Sequence, residues 1–303
     1  MRGYNESKSN VALCHLDAIS ETQENADVHI YDQNRALMEE VCTKWNASVV
    51  NDIEDVLNAN FDVVLIASPD STHAYYIQLF SNAECLVVCE KPLAADKAEF
   101  NELLTVMNNS ACSYIVNYSR VFASNYKKIK DEIDQNKFGE LLTVDVRYGK
   151  GLTHNGSHAI HLLNYFFGEL EVGEVLQCID DFSPQDKTYS FTARIGDAPI
   201  LFLGYDHNNF EIFEIDIIFS KARVVFTNFG DQIELHLIEV DDVFSEQRLH
   251  CVSVCRSAMC DAMLNLWSLV GLICKTGAKH HLVNNYQSLK NLYDLIEGVK
   301  TQC

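Results

Sequence analysis

Short apolar runs, each closed by polar residues, recur along the first third of the chain. Val63–Ala67 and Leu86–Cys89 are continuous rather than alternating, the pattern of strands covered on both faces in a parallel sheet. They run into Ser68-Pro69-Asp70 and Glu90-Lys91-Pro92, and about twenty residues separate them, enough for one crossover helix. Ligands of such sheets bind beyond the carboxyl ends of the strands, so both polar clusters mark a crevice. Around this pair the pattern predicts a helix over Asn10–Ser20, a strand at Val28–Tyr31 and a helix over Arg35–Trp45. A short strand at Val49–Val50, a short helix at Ile53–Leu57, a helix near Lys97–Met107 and a strand at Cys112–Val116 follow. Alternation of strand and helix predicts an α/β fold with a doubly wound parallel sheet.

The pattern changes near residue 120. A helix at about Ser124–Asn136 precedes the alternating strand Leu141–Tyr148 and a helix over Ser157–Phe167. Strands are then expected at Val172–Ile179, Thr188–Ile195, Ile200–Tyr205, Glu211–Phe219, Ala222–Phe226 and Ile233–Val240. Turns such as Gly196-Asp197 and Phe229-Gly230-Asp231 suit antiparallel hairpins. Helices near Met259–Lys275 and Val283–Lys300 close the chain. Two domains are therefore expected, 1–120 and 121–303, the second α+β with a large open, mostly antiparallel sheet.

Composition narrows the function class. A length of 303 residues accommodates two cores, and 48% hydrophobic with 22% charged residues is ordinary for a globular protein. A net charge of -20 argues against a nucleic-acid partner, whose phosphates call for a basic patch. No apolar run approaches the roughly 18–20 residues that span a bilayer, and the first residues lack a signal peptide's apolar segment. No membrane partner is expected. Eleven cysteines without a Cys-x-x-Cys pair, many in apolar runs, predict reduced, mostly buried thiols in a cytoplasmic protein. Cys251, Cys255 and Cys260 have no matching His or Cys pair at zinc-finger spacing, so no metal is expected.

Five segments carry a family resemblance: Tyr31-Asp32, Val63–His73, Leu86–Ala94, Asn117–Arg120 with Phe138-Gly139-Glu140, and Gly156-Ser157-His158. In that order and spacing, over roughly residues 10 to 170, the chain resembles the Gfo/Idh/MocA family. These are NAD(P)-dependent oxidoreductases named after glucose-fructose oxidoreductase and inositol dehydrogenase. The resemblance implies a Rossmann-like dinucleotide-binding domain over 1–120 and a substrate-binding and oligomerisation domain over 121–303. It implies hydride transfer between a nicotinamide cofactor and a hydroxyl or keto carbon of a sugar, sugar nucleotide or cyclitol. It also implies a homodimer or homotetramer built on the outer face of the second-domain sheet.

One part of the family pattern is missing. A dinucleotide-binding domain opens with a strand, a G-x-G-x-x-G loop and a helix, and this sequence has no such fingerprint; Gly3 lies at best just beyond the loop. In the family the missing strand is central, so its neighbours are expected to lack a ladder partner on their inner edges. Either residues upstream of Met1 belong to the protein, or the product is truncated. The second case makes the chain a catalytically silent binding or oligomerisation module.

The resemblance assigns roles residue by residue. Asp32 accepts hydrogen bonds from the adenosine ribose and repels a 2′-phosphate, favouring NAD over NADP, or else it caps the following helix. Ser68 and Pro69 pass beneath the cofactor ribose and nicotinamide, and His73 opens the crossover helix with Ser71 or Thr72 as its cap. Lys91 is the general base for a substrate hydroxyl, with a solvated surface lysine as the alternative. Glu90 contacts the nicotinamide end or positions Lys91. His154, His158 and His161, spaced four and three apart, share a face if one helix runs through them. The family usually has aspartate at the position of His154 and often at that of His161; His158 alone matches and inherits the role of bonding the substrate hydroxyl and relaying its proton. A neutral imidazole at His154 replaces a carboxylate as acceptor. His161 is a substrate contact or a packed histidine, and Asn155 a polyol contact or a turn residue. Arg120 is a substrate contact or the tie of the interdomain joint. Tyr148 is a pocket wall or a core residue.

Overall fold

The computed structural model describes residues 14–240, 246–277 and 286–302. Gly3, the first four residues of the expected Asn10–Ser20 helix, the first three of the expected Val283–Lys300 helix, and Cys303 lie outside the described residues. In chain order the elements are α1 (His15–Thr22), β1 (His29–Ile30), α2 (Arg35–Trp45), β2 (Ser48–Val49) and α3 (Ile53–Asn58). Next come β3 (Val63–Ile66), α4 (His73–Phe80), β4 (Leu86–Glu90), α5 (Lys97–Asn109) and β5 (Ser113–Asn117). The rest are α6 (Ser124–Asp134), β6 (Leu141–Tyr148), α7 (Ser157–Phe167), β7 (Glu171–Ser183), β8 (Asp186–Ile195), β9 (Ala198–Gly204), β10 (Phe213–Phe219), β11 (Ala222–Thr227), β12 (Gln232–Val240), β13 (Gln247–Arg256), α8 (Ala262–Thr276) and α9 (Tyr286–Lys300). They form two compact units.

Unit one holds residues 14–94, 101–117 and 263–277. Its α1 starts in a capping box: Cys14 Sγ accepts the Asp17 N–H at 3.4 Å, and the Asp17 carboxylate takes the Cys14 N–H at 3.2 Å. Asn34 Oδ1 caps α2 on Leu37 N–H, and Asn46, in the left-handed region at φ 50°, ends it. Strands β3, β4 and β5 form a parallel sheet, with Val64 opposite Val87 and Val87 opposite Tyr114. The apolar run of β4 is buried from Leu86 to Cys89. On β3, by contrast, Val63, Val64 and Leu65 are only half-buried, which corrects the expected two-sided coverage of that strand. Among the described residues β3 pairs only with β4, and β1 only with β2 in a separate parallel ladder.

Unit two holds residues 95–100, 118–240, 246–262 and 286–302. Its sheet has the order β13-β12-β11-β10-β6-β9-β8-β7, antiparallel except for the β6–β9 pair. Alternation sets the register: Val144, Val146 and Tyr148 of β6 point into the core with Ile215 and Ile217 of β10 and Val224 and Phe226 of β11. Helix α7 buries Ala159, Ile160, Leu162, Leu163 and Phe166 and packs against α6 and α9.

Two readings of the sequence are corrected here. Strand β13 carries no prediction, and it is exposed along nearly its whole length at the edge of the sheet. An edge strand has little burial to impose a period on its sequence. The thiols are not mostly buried either: of the ten described cysteines only Cys42, Cys85, Cys89 and Cys112 are buried. Cys251 and Cys255 ride on β13, and Cys178 on the opposite edge strand β7.

Candidate functional site

In unit one the candidate residues gather at the carboxyl ends of the strands. Glu90 closes β4 beside Lys91, and its Oε1 receives two donors, His15 Nε2 at 2.7 Å and Asn117 Nδ2 at 2.7 Å. The Lys91 backbone N–H reaches Glu90 Oε2 at 3.4 Å. Burial works to raise the Glu90 pKa, but the hydrogen bond from His15, with those of the Asn117 amide and the Lys91 N–H, outweighs it and holds the carboxyl below its ordinary 4.5. On its other side His15 Nδ1 takes the Trp267 indole N–H at 3.0 Å.

The turn after β3 is bound to the turn after β4 by a histidine. His73 is buried; its Nδ1 lies 2.8 Å from the Pro92 carbonyl and its Nε2 3.0 Å from the Ser68 carbonyl. Neither Ser71 nor Thr72 caps α4. Residues 70–72 form a 3-10 turn, and the Thr72 hydroxyl turns back to Ser68 Oγ and Pro69 O, each at 2.7 Å. Asp32 follows β1, and its Oδ1 accepts the Asn34 N–H at 2.7 Å in the turn before α2.

In unit two the histidines divide. Leu152–Gly156 forms a π-helical turn before α7, so one regular helix does not carry all three rings, and the expected common face is not formed. The turn is held by Asp186, whose carboxylate accepts the N–H groups of Thr153 and His154 at 2.8 Å each. Gly151 precedes it at φ +81°, where a Cβ would meet Asp186 Oδ2 at 2.3 Å. The His154 ring stacks on Phe182 with centroids 4.7 Å apart. His158 and His161 instead both meet Tyr118, His158 edge-on at 5.6 Å and His161 stacked at 4.2 Å. Burial first, and the Arg120 charge second, push the His161 pKa down to about 3, so this ring stays neutral.

The remaining candidates have structural tasks. Arg120 is buried, donates to the Phe229 carbonyl at 2.7 Å and lies over the Phe213 ring at 4.1 Å. It anchors the segment after β5 to the turn after β11. Asn155 Nδ2 donates to the Gly149 carbonyl at 2.9 Å and so builds the turn. Tyr148 is fully buried, its hydroxyl donating to the Tyr189 carbonyl at 2.8 Å, which makes it a core residue. His15 and Trp267 escaped the sequence reading; the one signal was a histidine opening the first helix.

Two features bear on a nicotinamide cofactor. The Asp32 carboxylate lies directly after β1, where an adenosine ribose presents its hydroxyls. Asn117 Oδ1, at the end of β5, is a buried acceptor with no partner among the described residues, and the carboxamide of a nicotinamide is an N–H donor of the matching kind. The residues present fit the group at these two points.

Residues 9–118 match the model of an oxidoreductase family with an NAD-binding Rossmann fold, Gfo/Idh/MocA. Inositol 2-dehydrogenase of Rhizobium meliloti (strain 1021) is 27% identical over 138 residues, which span 45% of this chain and 41% of that protein. The scyllo-inositol 2-dehydrogenase (NADP(+)) IolU of Bacillus subtilis (strain 168) is 22% identical over 249 residues, 77% of this chain and 74% of that protein. The match to the first of these relatives thus spans less than half its length. Among solved structures, KijD10, a 3-ketoreductase from Actinomadura kijaniata in complex with NADP, superposes with a TM-score of 0.74 at 14% identity, covering 95% of this chain and 92% of that one. A putative NADPH-dependent oxidoreductase from Desulfitobacterium hafniense gives a TM-score of 0.76 at 16% identity, covering 95% and 91%. At such identities the structural likeness speaks to the fold alone.

Proposed function

This chain belongs to the Gfo/Idh/MocA oxidoreductase family, and on that premise we propose that it moves a hydride between a nicotinamide cofactor and the CH–OH carbon of a sugar, a sugar nucleotide or a cyclitol. The observation that carries this reading is the end of β4, where a carboxylate kept ionised by His15 and Asn117 adjoins Lys91. Asp32, Ser68, Pro69, His73 and Glu90 line the strand ends that would hold the cofactor, which when bound takes or gives the hydride. Lys91, from its amine form, receives the hydroxyl proton as the carbon becomes a carbonyl, and returns it in the reverse direction. By the family resemblance, His158 is assigned the hydrogen bond to a substrate hydroxyl and the relay of its proton, and His154 the role of a further acceptor. The relatives named for inositol support a cyclitol as the first substrate to try.

Asp32 supports NAD over NADP, since a carboxylate there repels a 2′-phosphate. The names of IolU and of the KijD10 complex mention NADP, so both cofactors belong in the test. We place the protein in the cytoplasm on its free thiols, and propose a homodimer or homotetramer on the exposed apolar residues of its outer strands, such as Leu237, Leu249, Val252 and Val254.

A second reading rests on His154 and His161, which stand where the family places aspartates: a silent module that binds or oligomerises without turnover. The deciding experiment titrates NADH and NADPH into the protein and then screens cyclitols, sugars and sugar nucleotides for change at 340 nm, the wavelength of reduced nicotinamide. Saturable cofactor binding with turnover of one polyol class supports the enzyme. A folded oligomer with neither supports the module.

A further inference from the structure

The hydrogen bonds around His15 settle its tautomer. An indole N–H only donates, so the 3.0 Å contact from Trp267 Nε1 makes His15 Nδ1 an acceptor. The ring proton of the neutral imidazole therefore sits on Nε2, which faces Glu90 Oε1 at 2.7 Å. The resulting chain is directional: Trp267 donates to His15, and His15 donates to Glu90. It joins α8, α1 and β4, three elements far apart in sequence. The His15 side chain is 12% exposed and the Glu90 side chain 31%, so the bond is shielded on the histidine side. A Cβ at Gly271, one turn beyond Trp267, would meet Gln23 Nε2 at 2.4 Å, and Gln23 itself donates to the Trp267 carbonyl at 2.8 Å. Helix α8 is thus seated closely enough on α1 to hold the indole in place.

The consequence falls on Glu90. With Nε2 already protonated, His15 offers Glu90 a donor and no acceptor, as does the Asn117 amide on the same oxygen. A protonated Glu90 would have to place its own hydrogen on Oε2, against the Lys91 N–H. The ionised carboxylate is the one form that suits all three donors. The groups that face it are His15 from α1 and Asn117 from β5, with Cys89 before it on β4 and Lys91 after it in the following turn.

We propose that His15, oriented by Trp267, is a positioning residue that locks the Glu90 carboxylate at the end of β4 and so aligns Lys91 for proton transfer. The alignment of Lys91 rests on the function proposed above; the lock on Glu90 does not. A purely structural histidine would be replaceable by any side chain that fills its volume, whereas this role needs an acceptor towards Trp267 and a donor towards Glu90.

Two readouts on the full chain separate the two claims. Two-bond proton–nitrogen spectra of the imidazoles, with carbon-detected titration of the Glu90 carboxyl, read the lock without any turnover. The expected result is an Nε2–H tautomer for His15 at neutral pH, replaced by a tautomer mixture in Trp267→Phe, together with an upward shift of the Glu90 titration in that variant. A His15 with its proton on Nδ1, or a Glu90 titration unmoved by Trp267→Phe, overturns the proposal whatever the protein catalyses. With a polyol substrate in hand, His15→Ala is expected to lower kcat by about 10- to 100-fold and KM by less than about threefold, and to move the acid limb of the pH profile upward. His15→Gln, which keeps a donor and an acceptor, is expected to recover at least about a third of the lost kcat and also guards against misfolding of the alanine variant. Equal kcat and pH profile in wild type and His15→Ala overturn the positioning role, while absence of turnover in wild type sinks the dehydrogenase reading.

Discussion

At the end of β4 a carboxylate is kept charged by directed N–H donors, whereas on α7 an imidazole is kept neutral by burial and a neighbouring guanidinium. The two side chains are held in opposite ways. Glu90 receives three donors, His15 of α1 and Asn117 of β5 at 2.7 Å each and the N–H of the following Lys91 at 3.4 Å, each with a preferred direction. His161 depends on a flat stack against Tyr118, planes 9° apart, which carries no proton and needs none. Charge is therefore concentrated at the strand end and suppressed on the helix. On the function proposed above, Lys91 works as base beside a fixed negative charge, and His158 rather than the neutral His161 is the relay on α7.

The largest expected effect comes from breaking the charged region. Lys91→Ala should lower turnover by about 10³-fold, inside the range for loss of a general base, while NADH affinity stays within about twofold. Steady-state kinetics beside a binding titration measure both, and wild-type turnover in this variant would remove Lys91 from the mechanism. His158→Asn, which keeps a hydrogen-bonding side chain but cannot relay a proton, should cost about 10²-fold in kcat under the same assay.

The neutral region can be sharpened through acid stability. The folded His161 pKa of about 3 lies below the ordinary 6.5, so the unfolded chain takes up a proton first and wild type loses stability as pH falls from 6.5 towards 3. His161→Phe keeps the stack and removes the titration. It should match wild type at pH 7.5 and exceed it by roughly 1–2 kcal/mol at pH 5, read from denaturant unfolding at the two pH values. A constant difference between the two proteins across that window would mean that the ring titrates in the fold as it does in the unfolded chain.

Glu90 gives the opposite sign over a lower window. Its folded pKa is depressed, so its contribution is complete above 4.5 and lost as pH falls through the folded value. Partial exposure limits the effect: Glu90→Gln should be less stable than wild type by about 1 kcal/mol or less at pH 7, with the difference fading below pH 4.5. The smallest change is expected at the cofactor's far end, where Asp32→Ala should shift the ratio of NADH to NADPH affinity towards NADPH by a few-fold, on the order of 1 kcal/mol.

What the sequence disclosed about this comparison was uneven. Helices α2 and α7 and strand β6 have the predicted ends to the residue, because regular periodicity coincides there with an Asn cap, a glycine stop or a fully alternating core face. The polar strand ends after β3 and β4 were legible from the contrast between apolar run and polar cluster. Strand β13 was not, because an exposed edge leaves its residues almost free of patterning. The π-helical turn before α7 was also hidden: it depends on Asp186, more than thirty residues downstream, capping the N–H groups of Thr153 and His154. The buttress of Glu90 was the least legible part. His15 and Trp267 lie 252 residues apart, and no local motif marks either of them as a partner of β4.

The most direct measurement is a titration of NADH into the protein, followed by nicotinamide fluorescence and melting temperature, with Lys91→Ala run alongside. The account predicts saturable, roughly micromolar binding that raises the melting temperature of both proteins, in keeping with a site that stabilises the fold by mass action. A folded protein that shows neither a fluorescence change nor a shift in melting temperature would contradict it.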